Sequence, residues 1–327
     1  MTTLVTGATG FIGANVVRAL LDAGTAVRVL VRQHSDRRNL AGLPVEVVYG
    51  DLGDPASLRS ALQHCQTLYH VAAFYSLWTP QPQEMYAVNV QGTTNLLQAA
   101  YDLGLQKVVY TSSVATIALP EDGRPGDETM SLAPEQAIGH YKRSKVLAEQ
   151  VALDFCRQGL PLVVVNPAAP IGPWDIKPTP TGKILVDFLR RKMPAYLDTG
   201  LNLVDVRDVA HGHLLAAQHG KVGERYILGC QNMTLRDILQ LAAELSGFPA
   251  PRWRIPYGVA LLAGYISEGC ARVTGKPPLV PVAGVRMARH RMYFTAQKAV
   301  RELGLPQSPV AEAMRQAILW FREHGYA

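Results

Sequence analysis

Cysteine is scarce and scattered. The four residues, Cys65, Cys156, Cys230 and Cys270, form no CxxC pair, which argues against a disulfide framework or a metal site and fits a reducing, cytoplasmic setting. Aromatic residues make up only 7% of the 327 and charged ones 18%, against 48% hydrophobic. That balance suits a soluble globular chain with one large core and a smaller appended one. Long apolar runs are missing. The most apolar late stretch, residues 257–266, is interrupted by Gly258 and Gly264 and is too short to cross a bilayer. It is expected to form a buried helix, with membrane contact at most peripheral. The first strand pattern begins almost at Met1, leaving no room for the charged and apolar regions of an export signal. Tandem repeats and low-complexity segments are also absent.

Acidic residues fall short of basic ones, giving a formal net charge of +6. The excess is uneven: Arg252, Arg254, Arg272, Lys276, Arg286, Arg289, His290, Arg291, Lys298 and Arg301 crowd the last quarter. A solvated basic face, an anionic substrate or an anionic membrane surface each account for it. Nucleic acid is not the expected partner, because no aromatic-interleaved basic strand accompanies the charge.

What is present begins at the first residues. A β-branched strand at residues 3–5 runs into Thr6, Gly7, Ala8, Thr9, Gly10, Phe11, Ile12 and Gly13, followed by apolar Val16, Val17, Leu20 and Leu21 at helical spacing. Glycines at the first, fourth and seventh places between a strand and a helix make a phosphate cradle. Gly7 permits the turn, Gly10 the approach of a pyrophosphate and Gly13 the packing of helix on strand. A second strand, residues 26–31, ends at Arg32. This is where a dinucleotide fold meets the adenosine ribose, and a guanidinium there suits the 2′-phosphate of NADP(H) better than the free hydroxyls of NAD(H). Ser35, Arg37 and Arg38 lie close behind it.

Strand patterns continue at residues 45–49, 67–71 and 107–111, alternating with helical stretches at 54–62 and 84–103. Asp54 followed by Pro55 reads as a helix start. Alternation of this kind predicts an α/β fold with a doubly wound parallel sheet, whose ligand crevice lies at the carboxyl ends of the strands. There, Val71, Ala72 and Ala73 leave room beside the sheet for a cofactor, while His70 reads as a packed histidine. The next strand delivers Thr111, Ser112 and Ser113 to the crevice. After a Pro/Gly-rich loop, a helix opens with Tyr141 and Lys145 four apart, on one face. A nearby ammonium lowers a phenol's pKa, so Tyr141 is positioned to exchange a proton with a substrate oxygen that Ser113 hydrogen-bonds.

At these residues the chain resembles the extended short-chain dehydrogenases/reductases. TGATGFIG, GDL at residues 50–52, HVAA at 70–73, NVQGT at 89–93, YTSS at 110–113 and YKRSK match in order and spacing. VDVRDVA at 204–210 and YILG at 226–229 extend the resemblance over essentially the whole chain. The resemblance implies a Rossmann domain over residues 1–167, to which part of 203–230 returns, and a smaller substrate lobe over 168–327. It also implies a tetrad of Asn89, Ser113, Tyr141 and Lys145, adenine contact at Asp51 and Leu52, nicotinamide contact at Asn166, Pro167 and Ala168, and a homodimer through the helices at 84–103 and 141–157.

Within that group, residues 175–184 and 193–210 are similar to hopanoid-associated sugar epimerases, which lie close to dihydroflavonol-reductase-like and nucleotide-sugar epimerase sequences. Dehydratases of this type carry an Asp-Glu pair after the tetrad serine or threonine; Val114 and Ala115 stand there, so dehydration lacks its acid and base. The Arg-Pro-Gly-Asp-like segment of the epimerases is replaced by Gly284, Val285, Arg286, Met287, Ala288 and Arg289, leaving Arg286 or Arg289 to meet a pyrophosphate. The resemblance leads to a sugar epimerase, with an NADPH-dependent carbonyl reductase as alternative; a non-catalytic cofactor sensor is countered by the retained Tyr141 and Lys145. Tyr75 and Trp78 are candidates for packing on the substrate. Residues 169–182, with Trp174, Lys177 and Thr179, are expected to form a loop over it, with Lys183 just beyond.

Overall fold

The β-branched runs of the first half all become parallel strands of one sheet in the computed structural model, which describes residues 2–327. In chain order they are β1 (Thr2–Thr6), α1 (Phe11–Asp22), β2 (Ala26–Val31), β3 (Glu46–Tyr49), α2 (Pro55–Leu62), β4 (Cys65–His70), α3 (Pro82–Tyr86), α4 (Gly92–Asp102), β5 (Lys107–Thr111), α5 (Gly139–Arg157) and β6 (Leu162–Pro167). The Asp54 side chain caps α2 by accepting from the Ala56 amide, with Pro55 in the first turn. All six residues of β6 are buried, as expected of a strand covered on both faces.

One expected helix is interrupted. Between α3 and α4 the backbone opens into a π turn, Ala87–Gln91, so residues 84–103 are not one regular helix. The wider turn carries Asn89, whose side chain bridges two other segments described below; π turns recur where a side chain must be re-aimed.

The second half continues through β7 (Ala169–Ile171), α6 (Pro180–Leu189), β8 (Ala195–Leu197), β9 (Gly200–Asp205), α7 (Val206–His219), β10 (Arg225–Leu228), β11 (Gln231–Thr234), α8 (Leu235–Ser246), β12 (Trp253–Ile255), α9 (Tyr257–Thr274), α10 (Val282–Met287), α11 (Gln297–Leu303) and α12 (Val310–Glu323). The main sheet has seven strands in the order β10-β6-β5-β4-β1-β2-β3. β10 thus comes back from the second half to pair in parallel with β6. The strand order reverses between β1 and β4, the switch point where doubly wound sheets bind ligands. Smaller sheets, β11-β9-β7 and β12-β8, build the rest. Asp205 caps α7 through the Arg207 amide at 2.8 Å, and Asp208 holds the chain at Ser308 through its amide and hydroxyl. Both are bracing carboxylates, and the helix starts directly after Asp205, at Val206.

The apolar stretch at 257–266 is helical but not buried. Along α9 only Ala260, Gly264 and Ala271 are buried, while Val259, Leu262, Tyr265 and Ile266 are exposed. The small residues form the packing seam, where Gly264 faces the Val282 side chain, and this turns Val259, Leu262, Tyr265, Ile266 and Val273 outward while Tyr257 and Leu261 stay half-buried. Among the described residues no helix is long and apolar enough to cross a membrane.

Candidate active site

The glycine run forms the floor of the switch point. Gly7 has φ +70°, and a Cβ built there stands 2.6 Å from the Ala72 amide nitrogen, so no side chain fits between β1 and the loop after β4. A Cβ on Gly13 would lie 2.1 Å from the Gly7 carbonyl oxygen. Gly10 is the N-cap of α1 with no side-chain cap, and the first turn holds no acid. The amides of Phe11, Ile12 and Gly13 therefore lack internal acceptors and point, with the helix dipole, into the crevice. Uncapped amides beside a backbone too tight for any Cβ fit a dinucleotide diphosphate.

Arg32 stands exposed just past β2. Arg37 donates to the Tyr49 hydroxyl at 2.9 Å, and Arg38 pairs with Asp36 at 2.7 Å on the surface, an ion pair weak enough to exchange partners. Asp51 accepts from the Gly53 amide at 2.8 Å, and Asn95 donates to the Leu52 carbonyl at 2.9 Å, which holds this turn at the end of β3.

Across the crevice, α5 aligns Tyr141, Lys145 and Glu149 at successive i+4 positions. Burial pushes the Tyr141 phenol up to about 12, against an opposing hydrogen bond with the Ser113 side chain. The expected lowering by Lys145 is not what this arrangement produces. The Lys145 ammonium donates to the Thr111 carbonyl at 2.8 Å and to the Tyr110 hydroxyl at 3.4 Å, and burial brings it down to about 8. Its charge is directed at β5, not at the phenol. The Tyr75 ring lies 4.3 Å from that of Tyr141.

Asn89 works through its neighbours. Its amide donates to Ser144 Oγ at 2.9 Å and to the Phe74 carbonyl at 3.0 Å, and its oxygen accepts from the Phe74 amide at 2.7 Å. It therefore ties the loop that carries Tyr75 to the helix that carries Tyr141. Asn166, fully buried, turns away from the crevice: its amide donates to Glu149 at 2.8 Å, to Thr116 at 3.1 Å and to the Ser113 carbonyl at 3.1 Å. Glu149 in turn pairs with Arg225 of β10 at 3.0 Å. Thr111 gives its hydroxyl to His213 at 2.9 Å; His213 Nδ1 faces the Val209 carbonyl, which only accepts, so Nε2 is the acceptor.

His70 is a packed histidine. Thr93 donates to the Asn89 carbonyl, so His70 Nε2 donates to Thr93 at 3.0 Å and Nδ1 accepts from Thr6 at 2.8 Å. Ser144 and Thr93 lie within the YKRSK and NVQGT motifs without a role assigned from them, and Glu149, Arg225 and His213 fall outside every motif. The i+4 repeat from Tyr141 through Lys145 was the one available signal for Glu149.

A cavity of about 620 Å³ lies between the loop after β4, the start of α5, α9 and α10; Ser76 and His140, the chain neighbours of Tyr75 and Tyr141, line it, but neither tyrosine does. Trp78 and Arg286 line it. Four other expected substrate residues do not line it. Tyr75 packs its ring on Tyr141. Trp174 lies under Arg18, whose guanidinium carbon is 3.6 Å from the ring centre, and its carbonyl is held by Asn39. Lys183 is on the exposed side of α6, paired with Asp187 at 2.8 Å, and Arg289 stacks over Tyr257. Residues 169–182 form a packed connector, not a lid. They contribute β7, and buried Asp175 anchors the Thr179 amide and hydroxyl ahead of α6.

A diphosphate cradle at the switch point, facing a helix with tyrosine and lysine four apart, is the arrangement built by extended short-chain dehydrogenases/reductases, which are NAD(P)-dependent enzymes. The chain belongs to the NAD dependent epimerase/dehydratase family, whose model matches residues 3–229. It is 51% identical over 326 residues to a Synechocystis sp. protein with a provisional dihydroflavonol 4-reductase name, covering 98% of this chain and 95% of the relative. It is 39% identical over 329 residues to sterol demethylase protein B of Methylococcus capsulatus, covering 99% of each. The crystal structure of a nucleoside-diphosphate-sugar epimerase from Pseudomonas aeruginosa superposes with a TM-score of 0.84 at 26% identity, over 100% of this chain and 99% of that one.

Proposed function

We propose that this protein is an NADP(H)-dependent oxidoreductase that interconverts a secondary alcohol and a ketone on a bulky, largely apolar ring system. The observation that carries this reading is the cavity at the start of α5, one residue along the chain from Tyr141 at His140, whose walls include Leu77, Trp78, Met85, Ile138 and Val282. Apolar walls on the side of Leu77, Trp78 and Ile138, with charged groups at Glu268, Arg272 and Arg286, suit a ring compound that carries polar substituents. The names of two relatives, a dihydroflavonol reductase and a sterol demethylase protein, refer to such ring systems.

In this reading the cradle of α1 holds the cofactor diphosphate, and exposed Arg32, with Arg37 and Arg38, takes the 2′-phosphate. The bound nicotinamide supplies or accepts the hydride. Tyr141 gives its proton to the carbonyl oxygen during reduction and takes it back during oxidation, and Ser113 hydrogen-bonds the same oxygen. A phenol held near pKa 12 is the acid form at neutral pH, which suits the reducing direction. Lys145 steadies the end of β5 through Thr111 and adds positive charge to the crevice.

A second reading, a nucleotide-sugar epimerase, is favoured by Arg272 and Arg286 in the same cavity, since paired guanidinium groups match a pyrophosphate. Net cofactor consumption separates the two. With NADPH and a panel of cyclic ketones, the reductase consumes one NADPH per alcohol formed, and Tyr141→Phe lowers turnover by about 10²- to 10⁴-fold while NADPH binding persists. Interconversion of nucleotide sugars with no net change in cofactor absorbance, and no NADPH consumption with any ketone, overturns the reductase reading.

A further inference from the structure

The exposed face of α9 remains unexplained by any of this. Val259, Leu262, Ile266, Cys270 and Val273 follow one another at spacings of three or four residues, within an arc of about 80° at 100° per residue. All five are exposed, Leu262 at 63% and Val273 at 88%. Leu279, 93% exposed, and Trp253, 78% exposed, extend the apolar surface beyond the two ends of the helix. Soluble surfaces rarely display so many large apolar side chains in one row.

The charge around this row is of one sign. Residues 251–291 hold seven lysine and arginine side chains against a single carboxylate, Glu268. That excess of six equals the formal +6 of the whole chain, so the remainder is balanced. Glu268 is turned inward, accepting from the Val282 amide at 2.8 Å. Asp198 pairs with Arg254 and Arg291 and offsets only one of the cations. An apolar stripe with tryptophan at its edge and a cationic surround is the pattern of a helix that lies in the headgroup region of an anionic bilayer. A second copy of the chain fits poorly, since a two-fold contact through this face would bring two such cationic surrounds together.

We infer that α9, with Trp253 and Leu279, docks the protein on anionic lipid membranes. The opposite side of the same helix, through Glu268, Ala271 and Arg272, lines the cavity at the start of α5. Docking therefore holds the cavity about one helix diameter, ~10 Å, behind the lipid surface, which favours an amphipathic ring compound carried in the bilayer as substrate. That last consequence rests on the proposed reductase reading; the docking itself does not.

The test is co-sedimentation of the full chain with vesicles of phosphatidylcholine alone or with about 30% phosphatidylglycerol, without substrate or cofactor. The expected result is binding to the anionic vesicles that weakens as salt rises from about 0.1 to 0.5 M, as screening shortens the reach of the cations. Leu262→Asp with Ile266→Asp should lower partitioning about tenfold or more, and Arg252→Glu with Lys276→Glu should lower it at low salt. The replaced side chains are solvent-exposed, so the thermal midpoint should match wild type and NADPH-dependent reduction of a soluble ketone should persist. Wild type left in the supernatant with both vesicles, or aspartate variants that sediment like wild type, overturns the inference. So does a dimer in analytical ultracentrifugation that the aspartate pair dissociates, since the face would then be a contact between copies. Vesicle binding without turnover of any ketone would sink the reductase reading alone.

Discussion

Acidification should weaken this fold through two histidines that catalysis does not use. His70 and His213 are fully buried and neutral, and burial holds their imidazoles down at about 3 and about 4. An unfolded chain protonates both near 6.5. Between that pH and the folded values the unfolded state binds protons that the native state refuses, so native stability falls as pH falls. From pH 7 to pH 5 the loss is about 2 kcal/mol per imidazole, a figure governed by the unfolded pKa and insensitive to the native values. Asp175 acts with the opposite sign. Burial raises its carboxyl to about 6, so the native state gains a proton over the same interval, and about 1 kcal/mol of the loss is offset. Equilibrium urea unfolding at pH 7, 6 and 5 measures the sum. His213→Gln keeps a neutral side chain that can still bond the Thr111 hydroxyl, and should reduce the pH 7 to 5 loss by about 2 kcal/mol. If wild type, His213→Gln and His70→Gln lose the same stability over this interval, the buried imidazoles are not the source.

Two further outcomes follow from the cradle. Gly13→Ala places a methyl 2.1 Å from the Gly7 carbonyl oxygen, where backbone has to move; a loss of about 1 to 3 kcal/mol in urea unfolding is expected, together with weaker cofactor binding. A Gly13→Ala protein with wild-type stability and affinity would mean that the turn is not as tight as described. Arg32→Ala should weaken NADPH binding about tenfold and leave NADH nearly unchanged, because only the 2′-phosphate makes the charge-assisted contact. Equal losses for both cofactors in fluorescence titration would refute that role.

What was legible in the sequence is local. The glycines at 7, 10 and 13, the cap at Asp54, the β-branched strands and the Tyr141 to Lys145 spacing depend on backbone conformation and periodicity within a few residues of each other. They therefore determine the doubly wound sheet, the phosphate cradle and the helix that carries the tyrosine. Val114 and Ala115, where a dehydratase would hold its acid and base, are legible in the same way.

Tertiary structure decided which way side chains face when their partners are distant in the chain. Trp174 turns to Arg18 and Asn39, and Asn166 to Glu149, Thr116 and the Ser113 carbonyl. The Lys145 ammonium points to the Thr111 carbonyl rather than to the phenol it was expected to perturb. The late apolar helix is the sharpest case. Hydrophobicity alone suggested burial, but whether a face is buried depends on what packs against it, and α9 packs through its small residues, Ala260, Gly264 and Ala271. The same helix therefore has one side on the cavity and most of its large apolar side chains in solvent.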